Sequence, residues 1–365
     1  MVQIRPSRRA FGVGLAAAGA LMASARTASA SPRPQVIAHR GASGYRPEHT
    51  ASAYRLAIAQ GADVIEPDLV LTKDGVLVAR HENDIGDTTD VASRPEFASR
   101  RRVQEIDGER FEGWFTEDFT LAELKTLRAR ERLPQLRPGS ARHDGEDQIL
   151  TFAEVAAIAR RESARTGRPI GICPEMKHPA HFRRLGLAFE PIMAAALKAE
   201  RLDSPSAPVL VQCFEVGPLK TLATLSGAPR VQLVSAEGGP ADLPGVRYQD
   251  MVTAEGLMAI AGYAQAVGPE WRLVLKVDDA GALAGPTPLV DDARAARLKV
   301  FPWTVRAENA FLPRALQRGE GAGAHGDPAS LLKALYAAGV DGVFCDFPDL
   351  AVAARDGESL SPHRP

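Results

Sequence analysis

The chain has 365 residues with 44 basic and 45 acidic side chains, a net charge of −1, and 45% hydrophobic residues. A balance this even, without long basic runs, gives no electrostatic footprint for a nucleic acid partner. The length is ample for one large core, and α/β barrels commonly run past ~250 residues as a single domain.

Residues 1–30 read as a cleaved export leader. Ser7-Arg8-Arg9-Ala10-Phe11 is a twin-arginine pattern, the stretch from Phe11 to Ala23 is mostly apolar, and Ala28-Ser29-Ala30 offers small residues for cleavage. That apolar stretch falls short of the ~20 residues that cross a bilayer, so no stable membrane anchor is expected. Ser31, not a cysteine, follows the expected cut, which argues against a lipoprotein. The expected location is periplasmic or secreted. Loss of Arg5, Arg8, Arg9 and Arg26 leaves the mature chain mildly acidic.

From residue 31 to 355, short β-rich runs alternate with longer helical stretches. The patterns predict strands over 35–39, 63–70, 76–80, 169–175, 208–214, 230–235, 299–305 and 341–346. Helices are predicted over 50–60, 152–166, 184–200, 254–266, 289–298 and 328–338. Such alternation implies parallel strands, and this many units favours a closed (β/α)8 TIM barrel over an open sheet. The segment 82–148 breaks the alternation and is long, charged and uneven. It is expected to be an inserted subdomain after the second strand that caps the barrel mouth. Within it, 119–130 reads as a helix with Thr120 as N-cap and Glu123 three residues on. The tail 356–365 is expected to be disordered. Cys173, Cys213 and Cys345 each lie in or beside an apolar run and read as small buried hydrophobes without a structural disulfide.

The most informative residues are Glu66 and Asp68, two apart in the apolar run Asp63-Val-Ile-Glu-Pro-Asp-Leu-Val70. Positions two apart share one face of a strand. Desolvating two like charges side by side costs roughly several kcal/mol per ion unless a cation sits between them. The plain alternative is ion pairing with Arg40 and Lys177. Active residues of barrels stand at the C-terminal ends of strands, and His39, Glu66, Asp68, Glu175 and Asp346 all fall at or near such ends.

Together His39-Arg40-Gly41, Pro47-Glu48-His49-Thr50, Glu66-Pro67-Asp68, His81, Glu175-Met176-Lys177, Trp303-Thr304-Val305 and Asp346-Phe347-Pro348-Asp349 resemble the motif set of glycerophosphodiester phosphodiesterases. The match covers nearly all of the mature chain in order. Gln212-Cys213-Phe214, the run from Gly262-Tyr263-Ala264 to Gly268-Pro269, and His49 where many members carry asparagine resemble the exported, periplasmic branch. Glu82-Asn83 departs from the family, where aspartate often follows the histidine. The resemblance implies a distorted TIM barrel with an insertion after the second strand, and Glu66, Asp68 and Glu175 as ligands of a divalent cation. Three carboxylates without clustered thiols suit a hard ion; Ca2+ is favoured and Mg2+ is the alternative.

The resemblance also implies His39 and His81 as an acid–base pair, His39 assigned as base and His81 as acid. Arg40 and Lys177 are candidates for phosphate contact, and Phe214 and Trp303 for the pocket wall. Glu48 is a candidate for orienting His39 or Arg40. His143, His178, His181, His325 and His363 have no pattern and read as surface. The implied reaction is hydrolysis of small-molecule glycerophosphodiesters to sn-glycerol 3-phosphate and an alcohol. A second reading keeps the site but takes a lysophospholipid, with Phe111, Trp114 and Phe115 plus Arg100-Arg101-Arg102 as a membrane-facing patch. A third, of another class, is an exported binding protein that holds glycerophosphodiesters without turnover.

Overall fold

The computed structural model describes residues 1–3 and 33–358. The expected export leader, apart from its first three residues, and the tail beyond Glu358 lie outside the described residues. Eight successive parallel positions form a closed ring. Gln35–His39 pairs with Val64–Glu66 on one side and Gly342–Cys345 on the other. Pairing then runs from Val64–Glu66 to Gly171–Ile172 and from Asp68–Leu71 to Glu175–Met176. It continues through Val211–Cys213, Arg230–Val234, Ala266–Pro269 and Lys299–Val300. A parallel bridge from Val305 to Cys345 joins the last two positions. The strands read as near-continuous apolar runs because helices cover their outer faces. Ile37, Val64, Cys173, Val231, Leu233, Ala266, Phe301 and Phe344 pack together as one buried cluster drawn from strands around the ring.

The element boundaries differ from expectation in instructive places. Run 63–70 is two strands, because Pro67 has no N–H to give the ladder. Run 76–80 is Leu77–Ala79, which returns antiparallel along Asp68–Leu71 and is not a barrel strand. The sixth barrel strand is instead Ala266–Pro269, a four-residue run that blends into the alanine-rich helical pattern predicted over 254–266. That helix, Ala254–Ala261, stops early. The helices Val216–Leu225 and Pro348–Asp356 had no separate prediction. Phe152–Thr166 matches, opened by a Thr151–Glu154 capping box and closed by Gly167 at φ 66°. The terminal helix runs through Asp356, which Arg33 and Arg355 hold at 2.5 and 2.9 Å, so order extends into the expected tail.

The insertion follows the second strand as expected. Its main secondary structure is a hairpin, Arg102–Ile106 with Glu109–Gly113. Asp107 and Gly108 form its turn with φ of 51° and 89°, the Asp-Gly pair that a two-residue hairpin favours. The Thr120–Glu123 capping box is present, but the helix is only Leu121–Leu124. The chain then leaves it so that Ala129 can bridge Thr89, tertiary pairing overriding local propensity. The aromatic cluster is buried: Phe115 and Phe119 are fully covered, and Phe97 and Phe119 pack in one core with Leu71 and Leu77. Arg100 stacks over Phe97 and Phe119, and Arg102 over Phe115. The basic and aromatic residues expected as a membrane-facing patch are thus largely consumed inside the subdomain. Among the described residues, no helix is long and apolar enough to cross a membrane. Cys173, Cys213 and Cys345 are buried free thiols.

Candidate active site

Strand register assembles the site. In a parallel ladder, residues in register share a face. His39 lies opposite Glu66, Asp68 opposite Glu175, and Glu175 opposite Gln212. Oxygens of Glu66, Asp68 and Glu175 all come within 4.8 Å of one another, and all three side chains are buried. The carboxylates differ in ionisation. Burial and the neighbouring Asp68 push Glu66 well above the usual carboxylate range. Burial, with Asp68 adding to it against the pull of Lys177, raises Glu175 to about 8. Burial would raise Asp68 too, but Arg40 and His49 hold it well below its ordinary value. Three clustered carboxylates that cannot all ionise by themselves are a site in need of positive charge.

A tight turn after the first strand supplies some of it. Arg40 and Gly41 both have positive φ, 61° and 88°. A Cβ on Gly41 would lie 2.8 Å from Ala53, so only glycine fits there. The turn lets the Arg40 backbone N–H donate to Glu66 Oε2 at 2.7 Å. The Arg40 guanidinium pairs with Glu48 at 2.9 Å and with Asp68 at 3.2 Å. Glu48 therefore holds Arg40, one of its two expected roles, and also receives Arg132 from the insertion at 3.1 Å. Lys177 lies 3.4 Å from Glu175 and 3.4 Å from His81 Nε2.

The two histidines are each backed by a carboxylate. His39 Nδ1 is 2.6 Å from Asp346, and His81 Nδ1 is 2.8 Å from Glu82. Burial and Arg40 lower His39 to about 4. Burial, Arg40 and Lys177 lower His81 to about 3. Both imidazoles face a cavity of about 300 Å3 that Arg40, Lys177, Phe214 and Trp303 also line. Trp303 is fixed by its indole N–H donating to Gly268 O at 2.8 Å, and its ring meets Phe214 edge-on at 5.5 Å. Every residue expected at the site is thus in one place, Glu48 touching it through Arg40.

Other contributors had weaker signals. Asp346 also accepts from Arg137 at 2.5 Å and Arg306 at 3.0 Å. Arg137 and Arg132 come from the insertion, where nothing local distinguishes them from surface arginines. Gln212 donates to Glu66 at 2.9 Å, and its position at a strand end was the available clue. His49 is wholly buried and bonds Asp68 at 3.0 Å. Two histidines expected on the surface are not there. His181 is 3% exposed and bonds Glu117, while His178 lies between Glu82 and Asp107. Both are covered because the insertion folds down over the helix Pro179–Arg184 and the turn before it.

Known proteins resemble this chain. The model of the glycerophosphoryl diester phosphodiesterase family matches residues 39–350. A glycerophosphodiester phosphodiesterase of Arabidopsis thaliana is 34% identical over 328 residues, covering 86% of this chain and 84% of that relative. One of Haemophilus influenzae is 31% identical over 347 residues, covering 88% and 90%. The fold is also that of an Oleispira antarctica phosphodiesterase solved in complex with the product sn-glycerol-3-phosphate. That likeness has a TM-score of 0.57 and 22% identity and covers 89% of this chain and 97% of that one. With the family match spanning the barrel from His39 onward and relatives above 30% identity along most of their length, the chain is an enzyme of the glycerophosphoryl diester phosphodiesterase family.

Proposed function

We propose that this enzyme hydrolyses glycerophosphodiesters to sn-glycerol 3-phosphate and an alcohol, with a divalent cation held by Glu66, Asp68 and Glu175 and with protons moved by His39 and His81. The observation that carries the proposal is the buried carboxylate cluster flanked by two imidazoles, each with its own acid at Nδ1. The cluster fits a cation. Its donors are all oxygen, and without added positive charge Glu66 and Glu175 are driven toward their neutral forms. Oxygen donors suit Ca2+, which we favour, or Mg2+. When bound, the ion would neutralise charge on the non-bridging phosphate oxygens.

The chain's own groups supply the rest. Arg40 and Lys177 line the cavity as fixed cations for the phosphodiester anion. With Nδ1–H donating to Asp346, His39 keeps a free lone pair on Nε2, and its lowered pKa leaves it neutral, as a base must be. His81 loses its proton in the bare site because burial disfavours its charge and Arg40 and Lys177 repel it. An anionic substrate placed among those cations offsets that repulsion, and Glu82 at Nδ1 favours the imidazolium. His81 is then the proton donor to the leaving oxygen. Phe214 and Trp303 form the wall against the glycerol or the alcohol. His39→Ala or His81→Ala should each lower turnover by at least ~10²-fold, the low end for a positioned acid or base. Near-full activity in either variant removes that residue's role.

We favour deacylated, water-soluble substrates over lysophospholipids, because Phe115 is buried in the insertion and Trp114 donates to Phe97 O at 2.8 Å. A faster rate on lysophosphatidylcholine than on glycerophosphocholine would reverse that preference. Export rests on the twin-arginine leader, and a mature protein beginning at Ser31 is its expected signature.

A further inference from the structure

A line of side chains connects the edge of the site to the insertion. His81 Nδ1 is 2.8 Å from Glu82 Oε1, and Glu82 Oε2 is 2.9 Å from His178 Nε2. His178 Nδ1 in turn is 2.5 Å from Asp107 Oδ2. Each imidazole nitrogen of His178 faces a carboxylate, a setting that favours the imidazolium with both nitrogens donating. Charges then alternate along the line: Asp107 negative, His178 positive, Glu82 negative, and His81 positive when it carries its second proton.

Both ends of this line sit on left-handed backbone. Asp107 has φ 51° at the tip of the insertion's hairpin, and His178 has φ 48° just before Pro179. At Asp107 the Asp-Gly turn itself favours that conformation, whereas at His178 it persists only where the surroundings hold it. The turn between the barrel's third strand and Pro179–Arg184 thus aims His178 back at Glu82. The side chain of Glu82 is 40% exposed and without His178 would sample several rotamers.

We propose that His178 and Asp107 are positioning residues for proton donation, fixing Glu82 against Nδ1 of His81 so that Nε2 faces the leaving oxygen. The proposal rests on His81 being the proton donor. In the step served, the nucleophile deprotonated by His39 bonds to phosphorus and the phosphorus–oxygen bond to the alcohol breaks. The electron pair stays on that oxygen, which takes the Nε2 proton of His81. The insertion is thereby tied to the chemistry by its hairpin tip as well as by Arg132 and Arg137.

The test uses two esters of sn-glycerol 3-phosphate, one with choline and one with p-nitrophenol. Choline is a poor leaving group that needs the proton, whereas p-nitrophenolate departs without it. His178→Ala should lower kcat on the choline ester by roughly 10- to 100-fold, part of the ~10²–10⁴ that a positioned acid contributes. KM should stay within about twofold, and kcat on the nitrophenyl ester within about threefold. Asp107→Asn, which keeps the shape of the turn and an acceptor oxygen, should show the same selectivity in weaker form. It carries the test if His178→Ala does not fold. Equal losses on both esters, or no loss on either, overturn the positioning role. His81→Ala separates the two layers. If it is selective for the choline ester while the His178 and Asp107 variants are not, only the positioning role falls. If His81→Ala itself affects both esters equally, the donor assignment fails and takes the positioning role with it.

Discussion

Replacing Asp346 with asparagine isolates the orientation of His39. The Asp346 carboxylate is 2% exposed and divides its oxygens: Oδ1 meets His39 Nδ1 at 2.6 Å, and Oδ2 takes Arg137 at 2.5 Å and Arg306 at 3.0 Å. Asparagine offers one oxygen and one NH2. Two guanidinium donors against one imidazole will claim the oxygen, which turns the NH2 toward Nδ1. His39 must then accept at Nδ1 and carry its proton on Nε2, the tautomer that cannot act as base. Turnover should fall by about 10²- to 10⁴-fold, the range for losing general base catalysis.

Stability should fall as well. Removing one partner of a buried ion pair costs about 3–5 kcal/mol. Arg137 keeps Glu308 at 2.6 Å and the Ser43 carbonyl at 2.9 Å, so the low end, about 3 kcal/mol, is expected. Release of glycerol 3-phosphate, measured well below the melting transition, reads the first effect, and thermal unfolding reads the second. If Asp346 acts through His39, the His39→Ala Asp346→Asn double variant should be no slower than His39→Ala alone. A folded Asp346→Asn enzyme with kcat within threefold of the parent would refute the tautomer argument.

Gly41→Ala should damage both folding and activity, since it forces a side chain onto a φ of 88° and to within 2.8 Å of Ala53. The strain is of order 1–3 kcal/mol, and displacement of the Arg40 amide from Glu66 should weaken metal uptake; an alanine variant matching the parent in both would count against the turn's role. Alkaline pH should weaken the contact between hairpin and barrel. Although burial works against it, the hydrogen bonds to Asp107 and Glu82 raise His178 to about 9. A raised folded-state value means the contribution is complete below the unfolded value near 6.5 and is lost as pH climbs through about 9. The shift itself corresponds to about 3 kcal/mol. Solvent screening at Glu82, 40% exposed, reduces this to about 1–2 kcal/mol. Denaturant unfolding between pH 6.5 and 9.5 should show this decline in the parent and a flatter profile in His178→Gln, whereas identical slopes would exclude it.

How far the sequence foretold this molecule depended on the range of the forces involved. The strands that carry the candidate site were legible because apolar runs ending in His39, Glu66 and Glu175 carry their message locally. The strand at Ala266–Pro269 was not, being four residues long beside an alanine-rich helix whose pattern blends into it. The strand at 76–80 has the same composition as a barrel strand, and only pairing distinguishes an antiparallel return from a parallel neighbour. The insertion's hairpin did have a local marker in Asp107-Gly108. Long-range partners were the least visible. Arg137 meets Asp346 across 209 positions, and Gln212 meets Glu66 across 146. His178 and His181 gave no periodic signal because their burial is produced by the insertion folding over them, not by an apolar face of their own.

The proposed chemistry turns on a bound cation, and its binding can be tested without substrate. Chelator-treated protein titrated with Ca2+ in a calorimeter should take up the ion at a single site, and Glu66→Gln, Asp68→Asn and Glu175→Gln should each abolish uptake. Glycerol 3-phosphate release should stop in chelator and return on adding Ca2+ back. Full turnover in excess chelator, together with no uptake of Ca2+ or Mg2+ by the parent protein, would contradict a metal held by these three carboxylates.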